Sequence, residues 1–452
     1  MLFALPSLSS VSNSPLVALS PLRSALAAWL LVLMTVLSIP PGLGLAFPAW
    51  PAGVAAWMAA LLLWSQLDRR QHKVASVLVG LGSVATLWAM SHGKHYGLAD
   101  LLGQNTGLLG MLAAVSFLQL VVIESEDKRE ELPRGPGALW RTLLGVHIFG
   151  AMINLSALFI VADRISGAAK PTHYQFLVIT RAFCTAALWS PFFAAMAVVL
   201  TYSPGMNMIR VALISAPFAA VMLYLGGSQL LRQSPDKGAD FVGYPMHFGA
   251  LWLPALLAVM VMAAHHWRPG WSSLAVIALV APNIVVATLL VRHGLADTAG
   301  HLVDHARLRL PAMSGELVLF LAAAVFATGL QGLASLYGGW QPFSHFGGLE
   351  AILTMAMMLG LALLGFHPVI AVAMASAWLA PLHPNPDFLG LLFLLSWGLG
   401  VLCSPMSGTY LALQGRYGVS SAALARDNFT YVLQGFGLGA LWLLAMAEVV
   451  RV

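Results

Sequence analysis

Apolar runs long enough to cross a bilayer recur from one end of the chain to the other, and four of them are interrupted inside. Runs near residues 24–39, 46–64, 74–92, 106–123, 206–226, 248–264, 272–291, 313–335 and 428–449 read as simple helical crossings, because about 20 apolar residues span a hydrocarbon layer. In lipid every backbone polar group needs an internal partner, so runs of this length fold as helices. The composition agrees: 59% of the 452 residues are hydrophobic and 9% charged, with a mean hydropathy of +0.84. The fold class is an all-α polytopic membrane protein. The start, Met1 to Arg23, carries no charge before Arg23 and so lacks the basic region of a cleaved signal peptide; residues 24–39 are expected to be retained as a helix. Cys184 and Cys403 both lie inside apolar runs, which excludes a disulfide framework and a cysteine zinc site.

The interrupted regions come in two pairs. Residues 138–162 and 347–381 carry Gly145-Val146-His147 and Gly365-Phe366-His367-Pro368 in their interior, whereas 174–202 and 388–413 carry Ser190-Pro191 and Ser404-Pro405. A proline inside a helix removes one hydrogen bond and blocks a carbonyl, so it frees polar backbone at membrane depth. We read the first pair as re-entrant hairpins and the second as broken crossing helices, which gives 11 crossings with a cytoplasmic N-terminus. Lys94, Arg210, Arg268 and Arg451 then lie outside and Arg181 within the membrane, leaving 17 of the 22 basic residues on the cytoplasmic side. That asymmetry is what the positive-inside rule requires.

Short words recur in order along the chain: Val84–Leu87 as Val286–Leu289, Gly97–Asp100 as Gly294–Asp297, Gly145-Val146-His147 as Gly365-Phe366-His367, and Ser190-Pro191 as Ser404-Pro405. The expected organisation is therefore an N-terminal segment with an extra helix (1–45), a first repeat (46–226), a cytoplasmic linker (227–246) and a second repeat (247–452). Five crossings per repeat, an odd number, would invert one against the other.

Two inverted units, each with a hairpin and a broken helix, resemble the plan of the ion transporter superfamily, in its divalent anion/sodium symporter and arsenite/sodium-proton antiporter branches. The resemblance implies an elevator-type secondary transporter whose hairpin tips and helix breaks bind substrate and Na⁺. By position the tips would be Gly145 and His147, and Gly365, His367 and Pro368. The breaks would be Ser190 and Pro191, and Ser404, Pro405, Ser407, Gly408 and Thr409. Neither tip reads Ser-Asn-Thr, the word frequent in that superfamily.

The second break has the richest chemistry. Ser404, Ser407 and Thr409 offer hydroxyls, Gly408 admits a close approach, and a helix N-terminus beyond the break favours an anion while freed carbonyls suit Na⁺. A plain proline kink with hydroxyls bonded to their own turn is the competing account. His147 and His367 suit either a hydrogen bond to a carboxylate and proton coupling, or the capping of a tight turn. Arg181, inside the membrane, either balances an anionic substrate or snorkels to the cytoplasmic interface. Asn154, on the arm after the first tip, is a softer candidate beside a helix–helix hydrogen bond. His293, Asp297, His301 and His305 fall at i, i+4, i+8 and i+12, a spacing that could hold a metal but more often marks the polar face of an amphipathic helix. The charged run Glu124 to Glu131 reads as a solvated loop.

No Walker motif, nucleophilic triad or nucleic-acid signature is present. The reading is a non-enzymatic, cation-coupled carrier of a small anion, an organic carboxylate above others, in a bacterial-type inner membrane. Na⁺ is favoured over H⁺ because embedded acids are scarce, and no other cofactor is implied. Its partners are the lipid bilayer and the substrate, with a homodimer compatible. A metal-dependent intramembrane enzyme built on the 293–305 stripe and a non-catalytic membrane assembly component remain alternatives.

Overall fold

The computed structural model describes residues 20–124, 131–166, 170–234, 236–246, 252–337 and 343–450. The expectation for Met1 to Leu19 and most of the Glu124–Glu131 run lie outside these residues. Among the described residues the structure is helical, with one isolated β-bridge between Arg134 and Val242 and no strand. Seven stretches among the described residues are long and apolar enough to cross a membrane.

A first helix, α1 (Pro21–Gly42), precedes a recurring order of elements. The first run comprises α2 (Trp50–Leu63), α3 (Arg69–Ser91), a short α4 (Leu98–Gly103), α5 (Thr106–Ser116) with α6 (Gln119–Glu124), the pair α7 (Pro136–Ile153) and α8 (Ser156–Ser166), the pair α9 (His173–Ala186) and α10 (Ala194–Tyr202), and α11 (Met208–Gln233). The second comprises α12 (Trp252–Trp267), α13 (Ser273–Arg309), α14 (Ser314–Leu336), the pair α15 (Gly348–Leu363) and α16 (Pro368–Leu379), the pair α17 (Pro386–Cys403) and α18 (Gly408–Tyr417), and α19 (Ser421–Val450).

Packing between the two runs is reciprocal. Helix α3 packs on α14 and α13 on α5; α9 meets α19 and α11 meets α17; α9 and α17 touch each other. Single contacts follow the same exchange. Arg416 of α18 and Tyr417 both reach Asp163 of α8, while Ser376 of α16 donates to the Tyr202 carbonyl of α10. Tyr202 and Arg416 stand 214 positions apart, as do Ser190 and Ser404.

The α3–α14 crossing is close because glycines meet there. A Cβ on Gly82 would fall 2.6 Å from the Phe326 backbone, and one on Gly329 would fall 2.4 Å from the Gly82 carbonyl oxygen. Small residues allow this van der Waals contact where no hydrophobic drive separates helix from lipid. Helix α17 is buried on nearly every side, as its unbroken apolar sequence requires. By contrast Leu81, Val84 and Leu87 of α3 and Leu433 and Leu441 of α19 point outward, where lipid is the matching solvent.

Two of the expected simple crossings are not simple. The 106–123 run breaks after Ser116 into α5 and α6. The 272–291 run continues to Arg309 through a kink at Gly294, whose φ of 76° and ψ of −178° are open to glycine alone. That kink stands between His293 and Asp297, so the stripe does not run along one continuous helical face, although the His293 and His301 rings meet edge-on at 5.4 Å across it. Among the described residues no three His, Cys, Asp or Glu side chains gather closely enough to hold a metal. His305 is turned inward onto the Ser116 hydroxyl at 2.9 Å and against the Phe117 ring.

Candidate functional site

Each half brings a hairpin tip against a helix break. In the first half the tip is not where the Gly-x-His word predicts. Gly145 and His147 lie inside α7, Gly145 packed on Tyr244, and the chain reverses seven residues after His147, at Asn154 (φ 52°, ψ −137°). A sharp reversal needs a residue at positive φ, which Asn takes more readily than most, whereas His147 keeps regular helical backbone inside α7. Asn154 then ties tip to break: its Nδ2 donates to the Phe192 carbonyl at 3.2 Å, and its Oδ1 accepts from the Ala194 N–H at 2.9 Å, capping α10. Ser190 Oγ donates to the Ala151 carbonyl and accepts from Phe192 N–H, so both its bonding directions are used within this junction. Phe192 and Phe193 are buried, and Pro191 stands at the turn.

In the second half the tip lies where expected. Gly365 takes φ 90°, and His367 caps α16, whose first residue is Pro368. The break runs from Ser404 to Ser407. Ser407 Oγ accepts from Tyr410 N–H and so caps α18. Ser404 is buried, and its Oγ has no hydrogen-bond partner among the described residues. Gly408, the first residue of α18, is exposed, and Thr409 is buried beside it. The Gly408 N–H is the counterpart of the Ala194 N–H at a separation of 214 residues, yet no side chain caps it among the described residues as Asn154 caps Ala194.

The two junctions are closed by different chemistry. Where Asn154 joins the first, an arginine from α3 joins the second: Arg70 donates from Nη1 to the Met406 carbonyl at 2.8 Å and from Nη2 to the Gly365 carbonyl at 2.9 Å. Sequence reasoning placed Arg70 among cytoplasmic loop charges and missed this.

Arg181 is buried rather than at an interface, so the snorkelling alternative does not hold. Its Nε donates to Asn428 Oδ1 at 2.7 Å, its Nη1 to Gln229 Oε1 at 2.9 Å, and its guanidinium lies 4.5 Å from the Tyr431 ring centroid. Asn428 in turn donates to the Tyr410 hydroxyl, which donates to the Leu402 carbonyl in the last turn before the second break. A buried cation is thus held by neutral acceptors, and the chain of bonds from it ends two residues before Ser404. Asn428 and Tyr410 were also missed; an isolated Asn at the start of an apolar run was the available signal.

Both histidines use a ring lone pair as acceptor. His147 Nε2 accepts from the Trp189 indole N–H at 3.0 Å, with Nδ1 facing Thr185 Oγ1 and the Ala182 carbonyl. His367 Nδ1 accepts from Val369 N–H at 3.3 Å, and its ring stands edge-on to Trp397. The hydrogen-bond network therefore assigns both rings as neutral.

No family model matches this chain, and no curated protein matches it. Among solved structures it is similar to the YdaH transporter of Alcanivorax borkumensis, described as having an unusual topology. The TM-score is 0.52 at 14% identity, over 82% of this chain and 98% of that one. At that identity the likeness is one of fold. The chain is a multi-pass, all-α membrane protein.

Proposed function

We propose that the chain is a secondary active transporter that carries a small anion, in the first place an organic carboxylate, with Na⁺ as the coupling ion. The observation that carries this reading is the second break. A buried hydroxyl left unpaired costs about 1–3 kcal/mol, and Ser404 Oγ is such a group, next to the exposed first residue of α18. An anion seated there would meet a helix N-terminus, the Ser404 and Thr409 hydroxyls and the guanidinium of Arg70. The resemblance to the ion transporter superfamily and the fold shared with a transporter support the same reading.

Sodium is preferred because protonating either histidine would replace its acceptor lone pair with an N–H facing another N–H. Carbonyls at the junctions, once freed of their present donors, would suit a hard cation without an acidic side chain. The reciprocal packing supports two inverted repeats. In an elevator-type movement the hairpins and broken helices would slide against the α3–α14 and α5–α13 pairs. The basic-residue asymmetry supports a cytoplasmic N-terminus, and a bacterial-type inner membrane is the location proposed with it.

A thermal-shift screen of carboxylates and inorganic oxyanions in Na⁺ or K⁺ tests the reading, since a ligand at 100 times its Kd stabilises by about 2.7 kcal/mol. At least one anion should shift melting in Na⁺, and the pair Ser404→Ala with Thr409→Ala should abolish that shift while leaving the ligand-free melting close to wild type. No shift with any anion, or a full shift in the double variant, overturns it. The first of these outcomes would favour a non-transporting assembly component.

A further inference from the structure

The tip–break junctions occupy equivalent places and carry equivalent acceptors. The carbonyl of Phe192 in the first break and that of Met406 in the second lie 214 residues apart, the same separation as Ser190 and Ser404. Each of these carbonyls receives a side-chain N–H from a residue that belongs to, or also binds, the facing tip. The donor differs in kind and in origin. In the first junction it is the neutral amide of Asn154, which is itself the tip, so that junction is closed by its own residues. In the second the facing tip residue is Gly365, which has no side chain to offer, and the donor is the charged guanidinium of Arg70.

Arg70 is held from the other side. Asp68 Oδ1 accepts from the backbone N–H of both Arg70 and Gln71, and Gln71 Oε1 accepts from Asp68 N–H, a reciprocal cap that fixes the first turn of α3. Gln71 is pressed on α14, where a Cβ at Gly315 would fall 2.5 Å from its Nε2. The α3 helix is then locked to α14 along its length by the Gly82–Gly329 crossing. The guanidinium therefore ties the first turn of α3 to the junction of α15–α16 with α17–α18, a junction that also meets the α3–α14 pair where α16 packs on α14.

We infer that Arg70 is a tethered cation that closes the second junction from outside it, so that the second junction is the one that opens while the first stays shut. Two convergent carbonyls with no acidic side chain favour a cation between them, and a guanidinium delivers two directed N–H donors to such a pair. When the α3–α14 pair and the junction separate, both carbonyls lose their donors together. Gly365 and Met406 then part, and the Ser404–Thr409 segment is uncovered. In the first junction a separation of the same groups breaks nothing, because Asn154 travels with its own acceptors. The inference builds on the proposed function for what the opening serves, but the tie and its asymmetry stand on the geometry alone.

Amide hydrogen exchange on the intact purified chain, which needs no substrate, reads the tie directly. Arg70→Ala should raise exchange about tenfold or more in residues 364–367 and 405–410, with residues 152–155 and 192–195 unchanged. Arg70→Lys keeps the charge but cannot serve both carbonyls in the planar fork, and should give an intermediate increase. Methylguanidinium at millimolar concentration, compared with tetramethylammonium at equal ionic strength, should restore protection in Arg70→Ala. Unchanged exchange at the second junction in both variants overturns the inference, as does an equal rise at the two junctions. If Arg70→Ala fails to fold, Arg70→Lys alone decides by the same comparison. Loss of protection without any anion response in the melting screen would leave the tie in place and remove the transport reading instead.

Discussion

Replacing Asn154 separates what the first tip does for stability from what it does for the junction. Its side chain makes two hydrogen bonds, to the Phe192 carbonyl and from the Ala194 N–H, on a backbone at φ 52° and ψ −137°. Each neutral bond contributes about 0.5–1.5 kcal/mol net, so the pair contributes about 2 kcal/mol. The backbone conformation opposes this by about 1–3 kcal/mol. Asn154→Gly removes both bonds but also the strain, at an added cost of about 0.5–1 kcal/mol for the freer unfolded chain. The net change should be a loss of about 1 kcal/mol. Asn154→Ala loses the bonds and keeps the strain, so it should destabilise by about 2–4 kcal/mol. In matched detergent the melting order should run wild type, then Asn154→Gly, then Asn154→Ala. In both variants the Ala194 amide should exchange about tenfold faster. A glycine variant that melts below the alanine variant would mean that the strain term has the wrong sign. An unchanged Ala194 amide would mean that the cap is not formed in solution.

Arg181→Leu leaves the Asn428 and Gln229 side-chain oxygens without a donor and the Tyr431 ring without its cation, and should destabilise by about 1–3 kcal/mol. Arg181→Lys, unable to reach both amide oxygens, should fall between, and equal melting of the three proteins would show that the charge is not held as described. His147→Gln with His367→Gln should leave the pH dependence of any anion-induced melting shift between pH 5.5 and 8 as it is, because both rings are neutral acceptors. Loss of that dependence in the double variant would restore proton coupling. A cysteine at Lys170 should react only with a reagent supplied on the cytoplasmic side and one at Ser344 only from outside, and the reverse labelling at either position defeats the hairpin topology.

What the sequence disclosed is what repeats locally. Most apolar runs, the Ser-Pro breaks and the Gly365 turn are each written within a few residues and lie where the pattern put them, the 106–123 and 272–291 runs excepted. The first tip was misplaced because the recurrence of Gly-x-His looked like symmetry. A reversal is decided by backbone tolerance, and Asn154, an amide alone in an apolar run, was the residue able to take positive φ. With the tip at Asn154, tip to tip is 211 residues and break to break 214, a more uniform repeat than the one drawn through the histidines. The metal alternative at 293–305 loses its basis for a related reason: helical spacing carries meaning only along an unbroken helix, and Gly294 breaks it, while the exposed His293, Asp297 and Asp304 fit the polar face favoured for this stretch.

The ties that complete the site were illegible because they join residues far apart in sequence. Arg70 reaches acceptors 295 and 336 positions away, and Arg181 reaches Asn428 across 247. A reading by helical period sees only i±3 and i±4 neighbours, so Arg70 counted as one more cytoplasmic charge. Yet its position had a local cause that could be read, since Asp68 with Gln71 three residues on forms a capping box that starts α3 there. The cap sets where the guanidinium begins, the glycine crossing sets where the helix lies, and the missing side chain at Gly365 sets what the tip must borrow. Three local facts thus converge on one distant contact, and only their geometry in three dimensions makes that contact visible.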